Sequence, residues 1–195
     1  MTDSAPLSQS LGVQPEREPG PGRAEPAVPD FAALFEAEVG YVHHALVRLG
    51  VRGADVEDLT HDVFVAVHAA LPRFDASRPV RPWLFGIAFR VASDHRRRAR
   101  HTREVGDERA DHADGAPPAD EQLAAAETRA LVLRALDALD LDRRAVLVMH
   151  DIDGCPAPEI AEALAVPLNT VYSRIRLARA DFKAAVRRLR ARGEP

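Results

Sequence analysis

From Phe31 onward, the apolar residues of this chain recur every three to four positions, the period of one face of an α-helix. Phe31, Leu34, Phe35, Val42, Leu46 and Leu49 form one stripe, with Asp30 placed to cap its start and Gly50 to end it. Val56, Leu59, Val63, Phe64, Val67 and Leu71 form a second stripe, which stops before Pro72. The stretch from Pro72 to Pro82 carries three prolines and no period, and predicts an irregular connection. Leu84, Ile87, Ala88 and Val91 predict a third helix, from about Trp83 into a run of arginines. Between Thr102 and Asp120 the period vanishes among Gly106, Gly115, Pro117 and Pro118, the pattern of a flexible charged linker. It resumes near Leu123 and reaches Leu139; Asp142 is then placed to cap a helix over Arg143 to His150. A turn from Asp151 to Pro158, a short helix from Glu159 to Leu164 and a last helix from Pro167 to about Arg192 complete the pattern. Residues 1–29, with six prolines, three glycines and few large apolar groups, read as a disordered tail. The prediction is an all-α chain: two small helical domains, 30–101 and 123–192, joined by an acidic linker, 102–122.

The sharpest local spacing lies between Ala157 and Arg176. A helix-turn-helix needs a small residue in its first helix, a turn residue four positions on, and an apolar lock six further along. Ala161, Ala165 and Val171 stand at those places, framed by Ile160, Leu164 and Val166. The turn position favours glycine because its φ is positive, so Ala165 carries a cost of about 1 kcal/mol. The second helix would present Asn169, Thr170, Tyr172, Ser173 and Arg176 outward, groups suited to base edges or phosphates, with Arg174 and Arg179 nearer the DNA backbone. The same spacing fits an ordinary helical hairpin with a solvated polar face.

Charge sharpens this picture. The formal net charge is −4, but the signs are segregated. Arg90 to Arg103 holds six arginines and one acid; Arg174 to Arg192 holds eight basic residues and one acid. The intervening Thr102 to Gln122 carries seven acids. Two basic stretches across an acidic spacer suit two DNA contacts, although solvated helix faces would have the same composition. Composition adds little more: 46% hydrophobic residues but only 5% aromatic favour helices over sheets. The single cysteine, Cys155, excludes an intrachain disulfide. With no membrane span and no leader pattern, the chain is expected in the cytoplasm.

At the residues Glu159-Ile160-Ala161, Pro167 and Thr170-Val171-Tyr172-Ser173-Arg174, the chain resembles the promoter-binding module of extracytoplasmic-function sigma factors of bacterial RNA polymerase. Asp55-Val56-Glu57-Asp58-Leu59-Thr60 with Asp62-Val63-Phe64 resembles that family's polymerase-binding helix. Trp83-Leu84-Phe85 with Ile87-Ala88, ending in Arg96-Arg97-Arg98, is similar to its next helix. The resemblance implies a first module that docks on the clamp of the polymerase's largest subunit and reads the −10 element as it melts. It implies a second that binds the −35 element as duplex, near the beta flap, while the polymerase fixes their spacing.

The residues fit those roles. Asp58 and Asp62 share a helical face with His61, able to meet basic side chains, while Phe64 or Val65 would add an apolar contact. A melted strand needs a basic, stacking groove, for which Phe74, Arg78, Arg81, Trp83 and Arg90 are available; Trp83 fits a core position equally well. Arg96, Arg97 and Arg98 would contact phosphates. Four departures from the family pattern leave promoter preference open: His61 for Gln, Phe89 where a basic residue is common, Arg90 where Asn is common, and Leu177 for Arg. Pro156 also replaces the usual capping Ser. No Gly-rich phosphate loop, metal-ligand spacing or nucleophile–base pair stands out, so no cofactor, metal or catalytic residue is expected. Members of the family are often held by an anti-sigma factor, which these residues do not identify. A stand-alone helix-turn-helix regulator, or an N-terminal enzyme or interaction domain, would share much of the pattern.

Overall fold

The computed structural model describes residues 29–103 and 120–193, so most of the predicted tail and linker lies outside the described residues. These fold into α1 (Phe31–Arg48), α2 (Asp55–Ala70), α3 (Val80–Arg103), α4 (Asp120–Asp137), α5 (Leu141–Leu147), α6 (Ala157–Ala163) and α7 (Leu168–Ala191), with no strand among them.

The helix boundaries follow local chemistry. Asp30 caps α1, its carboxylate accepting from the Ala33 amide at 3.2 Å, and Gly50 closes the helix at φ +94°. The α2 stripe runs into a short 3-10 turn, Leu71–Arg73, at Pro72. Helix α3 begins at Val80, three residues earlier than the period suggests. Pro82 lies in its first turn, where amides have no intrahelical acceptor and the missing N–H costs nothing. The cap of α5 is Asp140, which accepts from Arg143 N at 2.9 Å, and not Asp142. Asp142, inside the first turn, instead takes Arg174 at 2.6 Å. After α5 the chain widens into a π-turn, Val148–Ile152, before reaching α6.

Helices α1 to α3 form one bundle around Leu46, Leu49, Val63, Val67, Leu84 and Phe85, and α4 to α7 form another around Leu136, Val146, Met149, Ile160 and Val171. The two bundles are packed together, and their buried residues make one continuous core. Gly86, buried in the middle of α3, lies so close to α6 that a Cβ there would collide with the carbonyl oxygen of Ala163. Arg48 donates to Asp153 at 3.0 Å, the Tyr41 hydroxyl donates to the same carboxylate at 2.9 Å, and Arg52 donates to Asp137 at 2.5 Å. This direct packing of one module on the other is not visible in the chain's periodicity.

Candidate nucleic-acid interface

The helix-turn-helix is built as its spacing suggests. Ala165 adopts φ +53°, the left-handed turn between α6 and α7, and Val166 N closes the turn on the Ala161 carbonyl at 2.9 Å. Val171 is fully buried and locks α7 against the buried Ile160 and Leu164. Pro156 offers α6 no side-chain cap, and Pro158 sits in its first turn. With that register fixed, α7 exposes Asn169, Tyr172, Ser173 and Arg176 along one side. Thr170 is half-buried at the turn, its carbonyl accepting from the Ser173 hydroxyl at 2.9 Å. Leu168 and Leu177 add exposed apolar contacts at the edge of this face.

The basic side chains of α7 are not idle. Arg174 reaches Asp142, and Arg179 binds Asp151 through two nitrogens at 2.8 and 2.6 Å. The Arg179 contact holds the Asp151 carboxyl below the usual carboxylate range. Arg176 remains exposed on the outer face.

In the first module, Asp58, His61 and Asp62 are all exposed on α2, on one continuous side. Phe64 is not with them: it is 3% exposed, edge-on to Phe31 and Phe35 with ring centroids 6.4 and 4.7 Å away. The exposed apolar group of this face is Val65, at 56%. One residue of register separates the two, enough to turn a side chain by a quarter of the helix.

The groove residues come together around a cavity of about 220 Å³ beside the start of α3. Phe74 and Trp83 stack at 4.5 Å between centroids, Phe74 nearly buried and Trp83 half-buried, so the tryptophan contributes to both core and surface. Arg73, Arg78 and Arg90 line the same cavity. Arg81 does not join them. Its Nε donates to the buried Glu38 at 2.9 Å and its guanidinium lies over the Tyr41 ring at 5.1 Å. Farther along α3, Arg97 pairs with Asp94 at 2.8 Å. Arg96 is half-buried and turns one guanidinium nitrogen, without a partner, into the protein near Arg144.

Among the described residues, the module junction holds perturbed groups of which the periodicity gives no sign. Burial raises the Asp153 carboxyl despite its contacts with Tyr41 and Arg48, and burial beside Asp153 raises the Tyr41 hydroxyl. Burial and the Glu159 carboxylate push the Cys155 thiol up to about 12. That thiol is therefore protonated and poorly reactive. The pairs Arg48–Asp153 and Arg52–Asp137 join residues 105 and 85 positions apart, beyond any local motif. No cluster of three or more potential metal ligands occurs among the described residues, and no described helix is long and apolar enough to cross a membrane.

Comparison with known proteins supplies the remaining argument. Residues 34–102 match the family model of sigma-70 region 2, and residues 129–182 that of sigma-70, region 4. The chain is 32% identical over 160 residues to RNA polymerase sigma factor NccH of Alcaligenes xylosoxydans xylosoxydans, covering 79% of this chain and 85% of that protein. It is 37% identical over 143 residues to RNA polymerase sigma factor CnrH of Cupriavidus metallidurans, covering 69% and 75%. The structure of CnrH in complex with the cytosolic domain of CnrY aligns with a TM-score of 0.54 at 30% identity, over 79% of this chain and 85% of that one. The sigma factor RpoE of Bartonella quintana, crystallised with the anti-sigma factor NepR, shares the fold with a TM-score of 0.62 at 20% identity, over 81% and 97%. Two region models in the expected order, on two helical modules of the expected build, favour a sigma factor over a stand-alone regulator. The chain belongs to the extracytoplasmic-function sigma factors of the sigma-70 family, subunits that direct RNA polymerase to promoters.

Proposed function

We propose that residues 30–101 bind core polymerase and the −10 element, and that residues 123–192 bind the −35 element. Asp58, His61, Asp62 and Val65 on α2 make the polymerase contact on the clamp of the largest subunit: two carboxylates for basic partners beside one apolar group. Phe64 supports that face from within the core. The melted strand enters the cavity at the start of α3, stacking on Trp83 backed by Phe74, with its phosphates met by Arg78, Arg90 and Arg97. Arg81, engaged with Glu38, shapes the groove from behind. Asn169, Tyr172, Ser173 and Arg176 read duplex DNA from α7, while Thr170, Arg174 and Arg179 serve its backbone. The second module also meets the beta flap.

The observation that carries this reading is the left-handed Ala165 turn with Val171 locked beneath it, which orients the outer face of α7. On this reading the chain works in the cytoplasm, without catalysis or cofactor of its own; the polymerase performs the chemistry. It is also subject to capture by an anti-sigma protein, as RpoE and CnrH are crystallised with NepR and CnrY.

Run-off transcription with purified core polymerase tests the proposal. Specific initiation is expected only with core and this chain together, with little specific duplex binding by the chain alone. Tight sequence-specific duplex binding without polymerase, and no initiation with it, would refute the proposal.

A further inference from the structure

The first turns of α7 set three large apolar side chains in solvent: Leu168, 38% exposed, Tyr172, 55%, and Leu177, 37%. Among the described residues the other large apolar groups so exposed are Phe35, Val65 and Ile152, spread over α1, α2 and the π-turn. Single exposed apolar groups are ordinary, but a concentration of them on one binding face calls for an apolar feature in what binds there. The helical period places them. Leu168 and Tyr172, four apart, stand on one edge of the face that carries Asn169 and Arg176, and Leu177 stands on the other, one turn beyond Ser173. Two polar side chains one turn from Leu177 could fold over it, and both are tied to α5 instead. Arg174 donates to Asp142 and Asp181 accepts from Arg143, each at 2.6 Å. Leu177 is thus left uncovered beside Arg176.

A leucine gains nothing from a phosphate, and on the floor of the major groove it has one partner. Adenine, guanine and cytosine present hydrogen-bonding groups there, whereas thymine alone displays an apolar one, its 5-methyl group. An arginine in the place of Leu177, which the family commonly has, can hold guanine by two hydrogen bonds; a leucine would only cover the polar edges of guanine and cytosine. We infer that Leu177 is a specificity-determining residue, which reads a thymine of the −35 duplex by packing on its 5-methyl group beside the polar contacts of Ser173 and Arg176. This holds only if α7 faces the −35 element as proposed above, and it gives that element a base preference that the hydrogen-bonding residues alone do not supply.

The test uses the full chain with purified core polymerase in run-off transcription. A pool of promoter duplexes randomised over the −35 region selects the sequences that initiate, and thymine is expected to be preferred at one position at least. Replacing that thymine by deoxyuridine deletes the methyl group and nothing else, and it tests the unaltered chain. Initiation is expected to fall about fourfold, the worth of one buried methyl group. Leu177→Ala should lose about as much on the thymine template and nothing more on the deoxyuridine one, because both changes remove the same contact. Leu177→Arg should move the preference at that position from thymine to guanine. An absent thymine preference, a deoxyuridine template transcribed like the thymine one, or a Leu177→Ala loss that is equal on both templates overturns the inference; the last result would mean that the leucine contacts something other than the methyl group. Arg176→Ala separates the two readings. If it changes the selected sequences while deoxyuridine has no effect, α7 faces the −35 element and the thymine contact fails. If Arg176→Ala, Leu177→Ala and Leu177→Arg all leave the selected sequences unchanged, the assignment of α7 fails and takes the thymine contact with it.

Discussion

Arg144 is the largest fully buried side chain among the described residues, 2% exposed, and its charge depends on a single carboxylate. One guanidinium nitrogen donates to Asp137 at 3.0 Å and another to the Leu139 carbonyl at 3.3 Å, while Nε has no partner. Burial holds its pKa below the usual arginine value, and the nearby Arg96 and Arg52 act in the same sense. Gly50 is required beside it, since its φ is +94° and a Cβ would run into the Arg144 guanidinium. The two partners should therefore respond unequally to mutation. Asp137→Ala strands a buried cation and also releases Arg52 from the opposite module. Removing one partner of a buried pair costs about 3–5 kcal/mol; because Asp137 is itself 43% exposed, the lower end, about 3 kcal/mol, applies. Arg144→Met removes the buried charge but keeps most of the volume, leaving Asp137 to Arg52 and water, at about 1 kcal/mol or less. Urea denaturation followed by circular dichroism measures both. With an m-value of about 2 kcal/mol per molar, Asp137→Ala lowers the midpoint by about 1.5 M and Arg144→Met by about 0.5 M or less. An Arg144→Met variant as unstable as Asp137→Ala would refute this reasoning, since Arg144 would then contribute through packing rather than as a charge in need of a partner.

Ala165→Gly relieves the left-handed strain at the helix-turn-helix and is expected to raise stability by about 1 kcal/mol in the same assay; a loss would mean that the alanine methyl packs usefully. Asp58→Arg should weaken binding to core polymerase while leaving the urea midpoint intact, so that loss of stability would count against a docking role. Arg176→Ala is expected to reduce −35-dependent initiation in run-off assays, and unchanged promoter preference would remove it from the recognition face. The Asp151 carboxyl is lowered by its contact with Arg179, so its stabilising contribution is complete above about pH 4 and fades as pH falls through its lower folded pKa. Asp151→Asn should accordingly narrow the gap to wild type in acid denaturation below that pH, and a gap that widens there would refute the assignment.

Most of the helical plan was legible because each boundary has a local cause. Asp30 and the Phe31 stripe define α1, Pro72 ends the α2 stripe, and Val171 in its spacing from Ala165 defines the turn. Where two residues of one type compete, local reading fails. Asp140 and Asp142 both precede α5, and Asp140 caps because burying Leu139 sets where the helix begins. Phe64 was expected among the contact residues although it stands on the α2 stripe and Val65 does not, and its packing against Phe31 and Phe35 keeps it in the core. Arg81 looked like the other groove arginines, but its orientation depends on Glu38 and Tyr41, forty or more positions away. The Gly86 contact and the Asp153 junction have no counterpart in periodicity or composition, since they exist only when two modules meet.

These pairings bear on how a chain of net charge −4 can serve promoter DNA. The basic residues proposed to meet phosphates are mostly held already: Arg78 by Glu162, Arg97 by Asp94, Arg174 by Asp142 and Arg179 by Asp151. Apart from the part-buried Arg174–Asp142 pair, these are largely solvent-exposed pairs, worth about 0–1 kcal/mol, so a phosphate can displace the carboxylate at little cost. Each such contact is thus an exchange of anions and not the capture of one by a free cation, which lowers the gain available from any single site. Non-specific binding, which depends on summing unpaired positive charge along any duplex, is weakened most. If, as proposed, the polymerase presents both modules to DNA at once, specific engagement suffers less, since the modest exchanges then add within one complex. The acidic partners are therefore consistent with a DNA-binding role: they bias the chain against DNA met alone and toward DNA met together with the enzyme it serves.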